Sequence, residues 1–193
     1  DESAQQLSVV AESLDRRDEV TRAKRYLAYF QAYTSTYAEV EYLQRMYEEA
    51  LSVSDMVGLC VGTRPDCVPD AVLDLLAGYQ ARGYEVWLEL GLQSANDKTL
   101  QRINRGHGYA AYEDAVSRAH ARGIKVCAHL IVGLPGEVPM DSLDTLHRIV
   151  ATGIEGIKLH PLHVVEGSIL GKAWQAGRLG GLSLEQYVEA AVA

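Results

Sequence analysis

Nearly continuous apolar runs alternate with segments of helical periodicity along the chain. The apolar runs predict strands over 26–32, 56–62, 85–93, 124–133 and 156–165. Apolar residues at helical spacing predict helices in the first 25 residues and over 38–52, 68–83, 96–104, 110–122 and 140–153, with a weak one near 169–176 and another from Ser183. Apolar strands that alternate with helices indicate an α/β fold with a parallel sheet covered by helices.

Every distinctive polar stretch lies at the carboxyl end of a predicted strand. These stretches are YTST, TRPD, LQS, GLPGE and HPLH. The loops after the strands of a β/α barrel converge on one rim, which carries the active site. Five strands that contribute to one rim therefore favour a partial or complete parallel β/α barrel over an open doubly wound sheet.

Alternation within the strands predicts a second, polar face. Residues two apart on a strand share a face, so Glu89 and Gln93 lie opposite the leucines of 85–93. By the same rule His129 lies opposite the apolar face of its strand, and Lys158 shares a face with His160. Buried polar groups need partners. These residues either satisfy one another in a closed network or line a ligand site, and we favour the ligand site.

Composition and charge narrow the class of protein. The 193 residues are 48% hydrophobic, and no run of about eighteen apolar residues predicts a membrane span. A net charge of −8 disfavours a nucleic-acid surface, because such surfaces neutralise phosphates with Lys and Arg. Cys60, Cys67 and Cys127 have no metal-ligand spacing, so we expect structural thiols in a reducing, cytoplasmic environment.

Five longer stretches carry a family resemblance. They are YFQAYTSTYA (29–38), VGTRPDCVPDAVLDLL (61–76), ELGLQSANDKTLQRINRGH (89–107), VCAHLIVGLPGE (126–137) and GIKLHPLHVVEGS (156–168). Together they resemble the radical S-adenosylmethionine (SAM) superfamily, and within it the YhcC-like branch, a neighbour of the Elongator-catalytic-subunit type. The resemblance extends over essentially the whole chain and implies a single partial radical SAM barrel over residues 1–193.

The resemblance implies a site for the methionine end of SAM. In this superfamily a glutamine at the end of the fourth strand binds the ribose, and an arginine beyond the next helix binds the methionine carboxylate; Gln93 and Arg105 match them. A guanidinium binds a carboxylate through two parallel charge-assisted hydrogen bonds. The loop that meets the methionine amino group is usually glycine-rich, and here it contains Ala32, Tyr33 and Thr34.

The resemblance also implies contacts to the adenosine end. Ile131 matches an apolar residue that packs on adenine, and His129 matches a polar position near the nucleoside. His163, which follows Leu162, matches a position whose backbone contacts adenine. Many relatives end the third strand in a carboxylate, whereas this chain has Gly62, which is expected to leave space beside the ligand. We expect one cavity with Arg105 at its edge, lined by Gln93, His129, Ile131 and Thr34.

The superfamily's reaction needs a [4Fe–4S] cluster held by a CxxxCxxC loop, and this sequence contains no such motif. The chain resembles relatives from the helix after that loop onward, so we expect the first strand, the cluster loop and the usual C-terminal extension to lie outside it. The resemblance implies the core of an enzyme that reductively cleaves SAM to a 5′-deoxyadenosyl radical. This chain alone is expected to be inactive. The parent enzyme would use an electron donor such as flavodoxin or ferredoxin, and its substrate is open, nucleic acid included.

Three other functions stay open on the residues alone. Lys158 at a strand end suits the Schiff base of a barrel aldolase. Three histidines and an aspartate suit a metal-dependent hydrolase, namely His129, His160, His163 and Asp66. A non-catalytic binding module is the third alternative. Neither the aldolase nor the hydrolase explains the spacing of Gln93 and Arg105.

Overall fold

Five parallel strands form one sheet in sequence order. The computed structural model describes residues 25–32 and 34–192, and its strands are β1 (Tyr26–Phe30), β2 (Met56–Thr63), β3 (Glu85–Gln93), β4 (Lys125–Val132) and β5 (Gly156–Pro161). Each strand pairs in parallel with the next. The helices are α1 (Val40–Leu51), α2 (Asp70–Ala81), α3 (Asp97–Arg102), α4 (Tyr109–His120), α5 (Pro139–Val150), α6 (Ile169–Gln175) and α7 (Leu184–Val192).

The apolar face of the sheet packs against the helices. Its fully buried strand residues include Leu59, Val61, Leu88, Leu90, Val126 and Ala128. They belong to one core with helix residues such as Leu73 and Leu76 of α2 and Val116 of α4. Since the side chains of a strand alternate between faces, the opposite face is left for the polar residues.

The repeated Ala-Arg-Gly sequence marks two equivalent helix ends. Gly83 after α2 and Gly123 after α4 have φ of 91° and 72°. The amide of Tyr84 donates to the carbonyl of Tyr79, and that of Ile124 donates to the carbonyl of Ala119. This is the Schellman arrangement, in which glycine takes the left-handed conformation and the chain turns into the next strand.

The sheet is strongly curved, with its polar face on the inside. In a flat sheet β1 and β5 would lie about 19 Å apart, at four strand spacings. Here the Lys158 ammonium of β5 lies 4.6 Å from the centroid of the Tyr29 ring of β1. The side chains of the two edge strands therefore meet across the concave face, and the five strands form half of a barrel with the helices outside.

The observed elements match the predicted ones, with shorter strands at both ends of the sheet. β1 ends at Phe30 and β5 at Pro161, so Ala32 and His163 follow their strands. Just beyond β5, the amide of Leu162 still donates to the carbonyl of Val132. The helix predicted in the first 25 residues falls almost entirely outside the described part of the chain. Within residues 25–32 and 34–192, no helix is long and apolar enough to cross a bilayer.

Candidate functional site

Gln93 and Arg105 meet beside Gly91 at the carboxyl end of β3. The Arg105 guanidinium donates to the carbonyl oxygen of Gly91. A Cβ atom at Gly91 would lie 2.8 Å from Arg105 Nη2 and 2.9 Å from Gln93 Nε2. The glycine therefore makes room for both side chains, which are twelve residues apart in the sequence.

The backbone at Gln93 is strained. Its φ is 77°, which is uncommon for a residue other than glycine, and the pairing of β3 with β4 shifts register between Gly91 and Gln93. A register shift of this kind changes where the next side chain points. Strained backbone clusters at binding sites, where the surrounding structure maintains it.

Arg105 is partly buried and has no acidic partner among the described residues. Burial lowers the pKa of its guanidinium, and the nearby positive charge of Arg64 lowers it further. Its Nε is buried and has no hydrogen-bond partner, and no ion pair joins Arg105 to an acid within residues 25–32 and 34–192. A buried charge is costly unless it is paired. The arrangement therefore suits an anionic ligand.

The turn that carries Arg105 is supported by an ion pair. Asn104 and Gly106 on either side of it have φ of 55° and 85°. Arg64 bonds Asp66 through two hydrogen bonds of 2.9 and 2.6 Å, and its Nη2 lies 2.9 Å from the position of a Cβ at Gly106. The Arg64–Asp66 pair thus packs against the backbone next to Arg105 and limits where the guanidinium lies.

A second polar cluster surrounds Glu89 on the concave face. Its side chain is 3% exposed and receives hydrogen bonds from all four other strands. The donors are Tyr29 (2.8 Å), Cys60 (3.2 Å), His129 (2.7 Å) and Lys158 (2.6 and 2.8 Å to the two oxygens). The predicted phase of β3 is therefore confirmed. Glu89, His129 and Lys158 satisfy one another, as in the closed-network alternative.

The cluster fixes the protonation of its members. Burial alone raises the pKa of Glu89, but hydrogen bonds from His129, Lys158, Tyr29 and Cys60 outweigh it and hold the pKa well below the usual range. Burial and the bond to Glu89 raise the pKa of Cys60 and of Tyr29 to about 12. The cluster therefore contains a carboxylate, a protonated thiol and a protonated phenol near neutral pH.

Glu89 should make folding stability depend on acidity. Its pKa is lower in the folded chain than the ordinary value of 4.5, so the unfolded chain binds the proton more readily. Its contribution is complete above the unfolded pKa and is lost as pH falls through the folded one. We expect the free energy of unfolding to fall between about pH 5 and pH 2. That slope should be smaller in Glu89→Gln and unchanged in the exposed control Glu113→Gln, as measured by urea unfolding. An equal slope in all three proteins would contradict the assignment.

Comparison with known proteins identifies the family. Residues 4–149 match the model of the radical SAM superfamily, and residues 154–193 match that of the radical SAM C-terminal domain. The chain belongs to the radical SAM superfamily. Protein YhcC of Escherichia coli (strain K12) is 63% identical over 187 residues, which are 97% of this chain and 60% of YhcC. The chain thus spans about three fifths of that relative.

Solved radical SAM structures share the fold. The archaeal Elp3 of Methanocaldococcus infernus matches with a TM-score of 0.78 at 22% identity, over 98% of this chain and 48% of Elp3. Coproporphyrinogen III oxidase (HemN) of Escherichia coli matches with 0.64 at 17% identity, over 99% of this chain and 44% of HemN. Both the predicted family and the partial parallel β/α barrel are confirmed.

The other predicted radical SAM positions are more dispersed than expected. Gln93 and Ile131 line a cleft between β4, α5 and α7, and neither His129 nor Thr34 is among its lining residues. Thr34 follows β1, where its carbonyl accepts a hydrogen bond from the Tyr37 amide. Tyr33 lies outside the described residues. His163 is exposed and lies beyond β5.

The surroundings of Gly62 differ from the expectation that this glycine leaves space beside a ligand. A Cβ there would lie 3.1 Å from the carbonyl oxygen of Phe30, and the Gly62 carbonyl accepts a hydrogen bond from the Ser35 amide. The position is therefore crowded by backbone rather than open beside a ligand. What Gly62 permits is the close approach of β1 and of the loop that contains Ala32 and Thr34.

The cysteines do not fit an iron–sulfur cluster. Cys60 donates to Glu89, Cys127 is buried on β4, and Cys67 lies in the 3₁₀ turn Pro65–Cys67. Burial raises the pKa of Cys60 to about 12 and that of Cys127 to about 11, and it also raises the pKa of Cys67. Iron–sulfur clusters are held by Cys thiolates. These thiols are dispersed and protonated.

The geometry also opposes the aldolase and hydrolase alternatives. The bond to Glu89 raises the pKa of Lys158 against the effect of burial, whereas a Schiff-base lysine must lose its proton. Asp66 is bound to Arg64 and does not join the histidines. Sequence patterns missed Tyr29 and Cys60 as members of the Glu89 cluster. Tyr29 on β1 and Cys60 on β2 are register partners. The strand register is therefore the signal that could have placed both residues in this cluster.

Proposed function

We propose that this chain binds SAM at the carboxyl end of its half-barrel and forms the SAM-binding core of a radical SAM enzyme. The observation that carries the proposal is the partly buried guanidinium of Arg105, whose Nε is buried without a hydrogen-bond partner and which lies beside the Gln93 amide. A methionine carboxylate supplies the negative charge and the paired oxygens that this guanidinium lacks.

The remaining contacts that we propose are those implied by the family resemblance. Gln93 would bind the ribose, and Ile131, which lines the same cleft, would pack on adenine. The segment with Ala32, Tyr33 and Thr34 would meet the methionine amino group. Beside Thr34, the amide of Ser35 donates to the carbonyl of Gly62. His129 and His163 would contribute beside the nucleoside. Bound SAM supplies, on reductive cleavage, a 5′-deoxyadenosyl radical for abstraction of a hydrogen atom from a substrate.

The chain's own cysteines should not support that cleavage. After anaerobic incubation with iron and sulfide, we expect no stable absorption of a [4Fe–4S] cluster and no 5′-deoxyadenosine from SAM under reductant. A longer chain with a CxxxCxxC segment, supplied with a reductant such as flavodoxin or ferredoxin, should show both. A stable cluster in the 193-residue chain that is lost in Cys60→Ser or Cys127→Ser would contradict this prediction.

Calorimetry with two ligands tests SAM binding directly. The chain is expected to bind SAM and to bind decarboxylated SAM about ten- to a hundred-fold more weakly, because hydrogen bonds to a charged group contribute about 1.5–3 kcal/mol. The two ligands share the sulfonium, ribose and adenine, so the carboxylate is the difference between them. Equal affinities, or no heat with SAM, would contradict the proposed site.

A further inference from the structure

The concave face presents an ammonium group that the SAM contacts leave unused. Lys158 Nζ lies 2.6 and 2.8 Å from the two oxygens of Glu89 and 3.5 Å from the Tyr29 hydroxyl. Its side chain remains 41% exposed. Glu89 and Tyr29 therefore hold the ammonium in one place while part of the lysine side chain stays open to the concave side.

The carboxylate beneath it has no capacity for another donor. Both oxygens of Glu89 are used, one by Cys60 and Lys158 and the other by Tyr29, His129 and Lys158. Side-chain atoms of Glu89, Cys127 and His129 lie within 4.8 Å of one another, which is metal-ligand spacing. An ammonium on both carboxylate oxygens and protonated thiols nearby oppose a cation there. The available groups are donors.

A second polar group of this cluster lacks a partner. His160 is two residues beyond Lys158 on β5, and its ring centroid lies 5.3 Å from that of His129. Its Nε2 is buried and has no hydrogen-bond partner within the described residues. An unsatisfied buried imidazole nitrogen is costly, and a ligand oxygen would relieve it.

We propose that Lys158, with His160 beside it, binds an oxyanion of the substrate, and that Glu89 and Tyr29 are positioning residues. The inference rests on the proposed function, since it places the substrate on the same concave face as SAM. Gly91, where Arg105 is bound, pairs with His129, and His129 pairs with Lys158. Two strand spacings of about 10 Å separate those positions, which suits a second molecule beside SAM.

The oxyanion is a carboxylate or a phosphate, and two probes separate them. Imidazole ¹⁵N spectra of the chain would be followed during titration with inorganic phosphate and with succinate. We expect a saturable shift of the His160 signal with at least one probe, and the tighter probe identifies the source. No saturable shift with either would overturn the proposal.

Matched variants test the residues. Lys158→Met should weaken binding about ten-fold or more. Lys125→Met is the control, because Lys125 makes the same kinds of contact at the other end of the sheet. Its ammonium lies 2.5 Å from Glu85 and 5.4 Å from the centroid of the Trp87 ring. His160→Asn leaves the Lys158–Glu89 ion pair intact. Its affinity for the probe, followed through the imidazole signal of His129, should fall about three-fold or more. The His160→Asn variant therefore tests the proposed anion site even if Lys158→Met does not fold.

Two outcomes of the variant series would count against the site. Equal affinity in wild type and His160→Asn would overturn it. So would a phosphate effect that is lost in Arg105→Ala and kept in Lys158→Met, because the anion would then lie in the SAM site. A chain that binds SAM in calorimetry but neither probe contradicts this inference alone. A chain that does not bind SAM contradicts the proposed function.

Discussion

Replacing Glu89 with alanine is expected to lower the free energy of unfolding by about 3–5 kcal/mol. The substitution leaves the Lys158 ammonium without its partner and removes the acceptor of Tyr29, Cys60 and His129. The cost arises mainly because the partly buried donors of Cys60 and His129 lose their acceptor, at about 1–3 kcal/mol for each unsatisfied group, whereas the half-exposed Lys158 ammonium can turn to water. Urea unfolding followed by circular dichroism measures the difference.

Glu85→Ala is the matched control for this prediction. Glu85 accepts from Lys125 and from the Trp87 indole, but its side chain is 40% exposed. Exposed pairs of this kind contribute about 0–1 kcal/mol. If Glu89→Ala and Glu85→Ala lose the same small amount, the concave cluster is not the closely coupled network that its distances indicate.

Arg105→Ala is expected to weaken SAM binding by about ten- to a hundred-fold, or about 1.5–3 kcal/mol. The guanidinium can form two parallel bonds to a carboxylate in a partly buried place, where water replaces them less well than in the open. Arg105→Lys keeps the charge and loses the paired geometry, so its affinity for SAM should lie between those of wild type and Arg105→Ala. Gln93→Ala should cost less than Arg105→Ala, since water can bind a ribose hydroxyl in its place.

The control for the Arg105 variants is Arg45→Ala. Arg45 lies on α1 above the exposed ring of Tyr42, far from β3 in the sequence and on the helical side of the sheet. Its affinity for SAM should equal that of wild type. Loss of affinity in Arg45→Ala as large as in Arg105→Ala would mean that net charge, rather than the position beside Gly91, governs binding.

Much of this architecture follows from local pattern. Apolar runs and glycine stops such as Gly83 and Gly123 determine where strands and helices lie, because each element is specified by its own residues. The polar face of β3 also follows from alternation, which placed Glu89 on the inside. These features need no knowledge of how the sheet curves.

The features that sequence did not predict depend on curvature and register. Tyr29 reaches Glu89 across β2, and that contact exists because the sheet closes toward a barrel. Gly62 was expected to leave space for a ligand, and instead the backbone of β1 approaches it. His163 was placed on the last strand, but Pro161 ends that strand first. Each difference is a long-range or backbone constraint that residue spacing does not encode.

The contrast between the two polar groups of the concave face bears on function. Both carboxylate oxygens of Glu89 are used by neighbouring side chains, whereas the partly buried Arg105 has a buried Nε without a hydrogen-bond partner. Buried ion pairs are weak evidence for stability as such, because apolar residues often serve as well. We infer that the first group organises the face and the second recognises the ligand. Variants of the two groups should therefore have different effects. Substitutions of Glu89 should change the free energy of unfolding, and substitutions of Arg105 should change the affinity for SAM.

The central claim, that Arg105 binds the carboxylate of SAM, is tested most directly by one calorimetric cycle. Wild type and Arg105→Ala are each titrated with SAM and with decarboxylated SAM. If the two groups contact each other, wild type prefers SAM by about ten- to a hundred-fold, and Arg105→Ala binds both ligands with similar, weaker affinity. If Arg105→Ala keeps the full preference of wild type for SAM, the carboxylate lies elsewhere and the assignment of Arg105 is wrong.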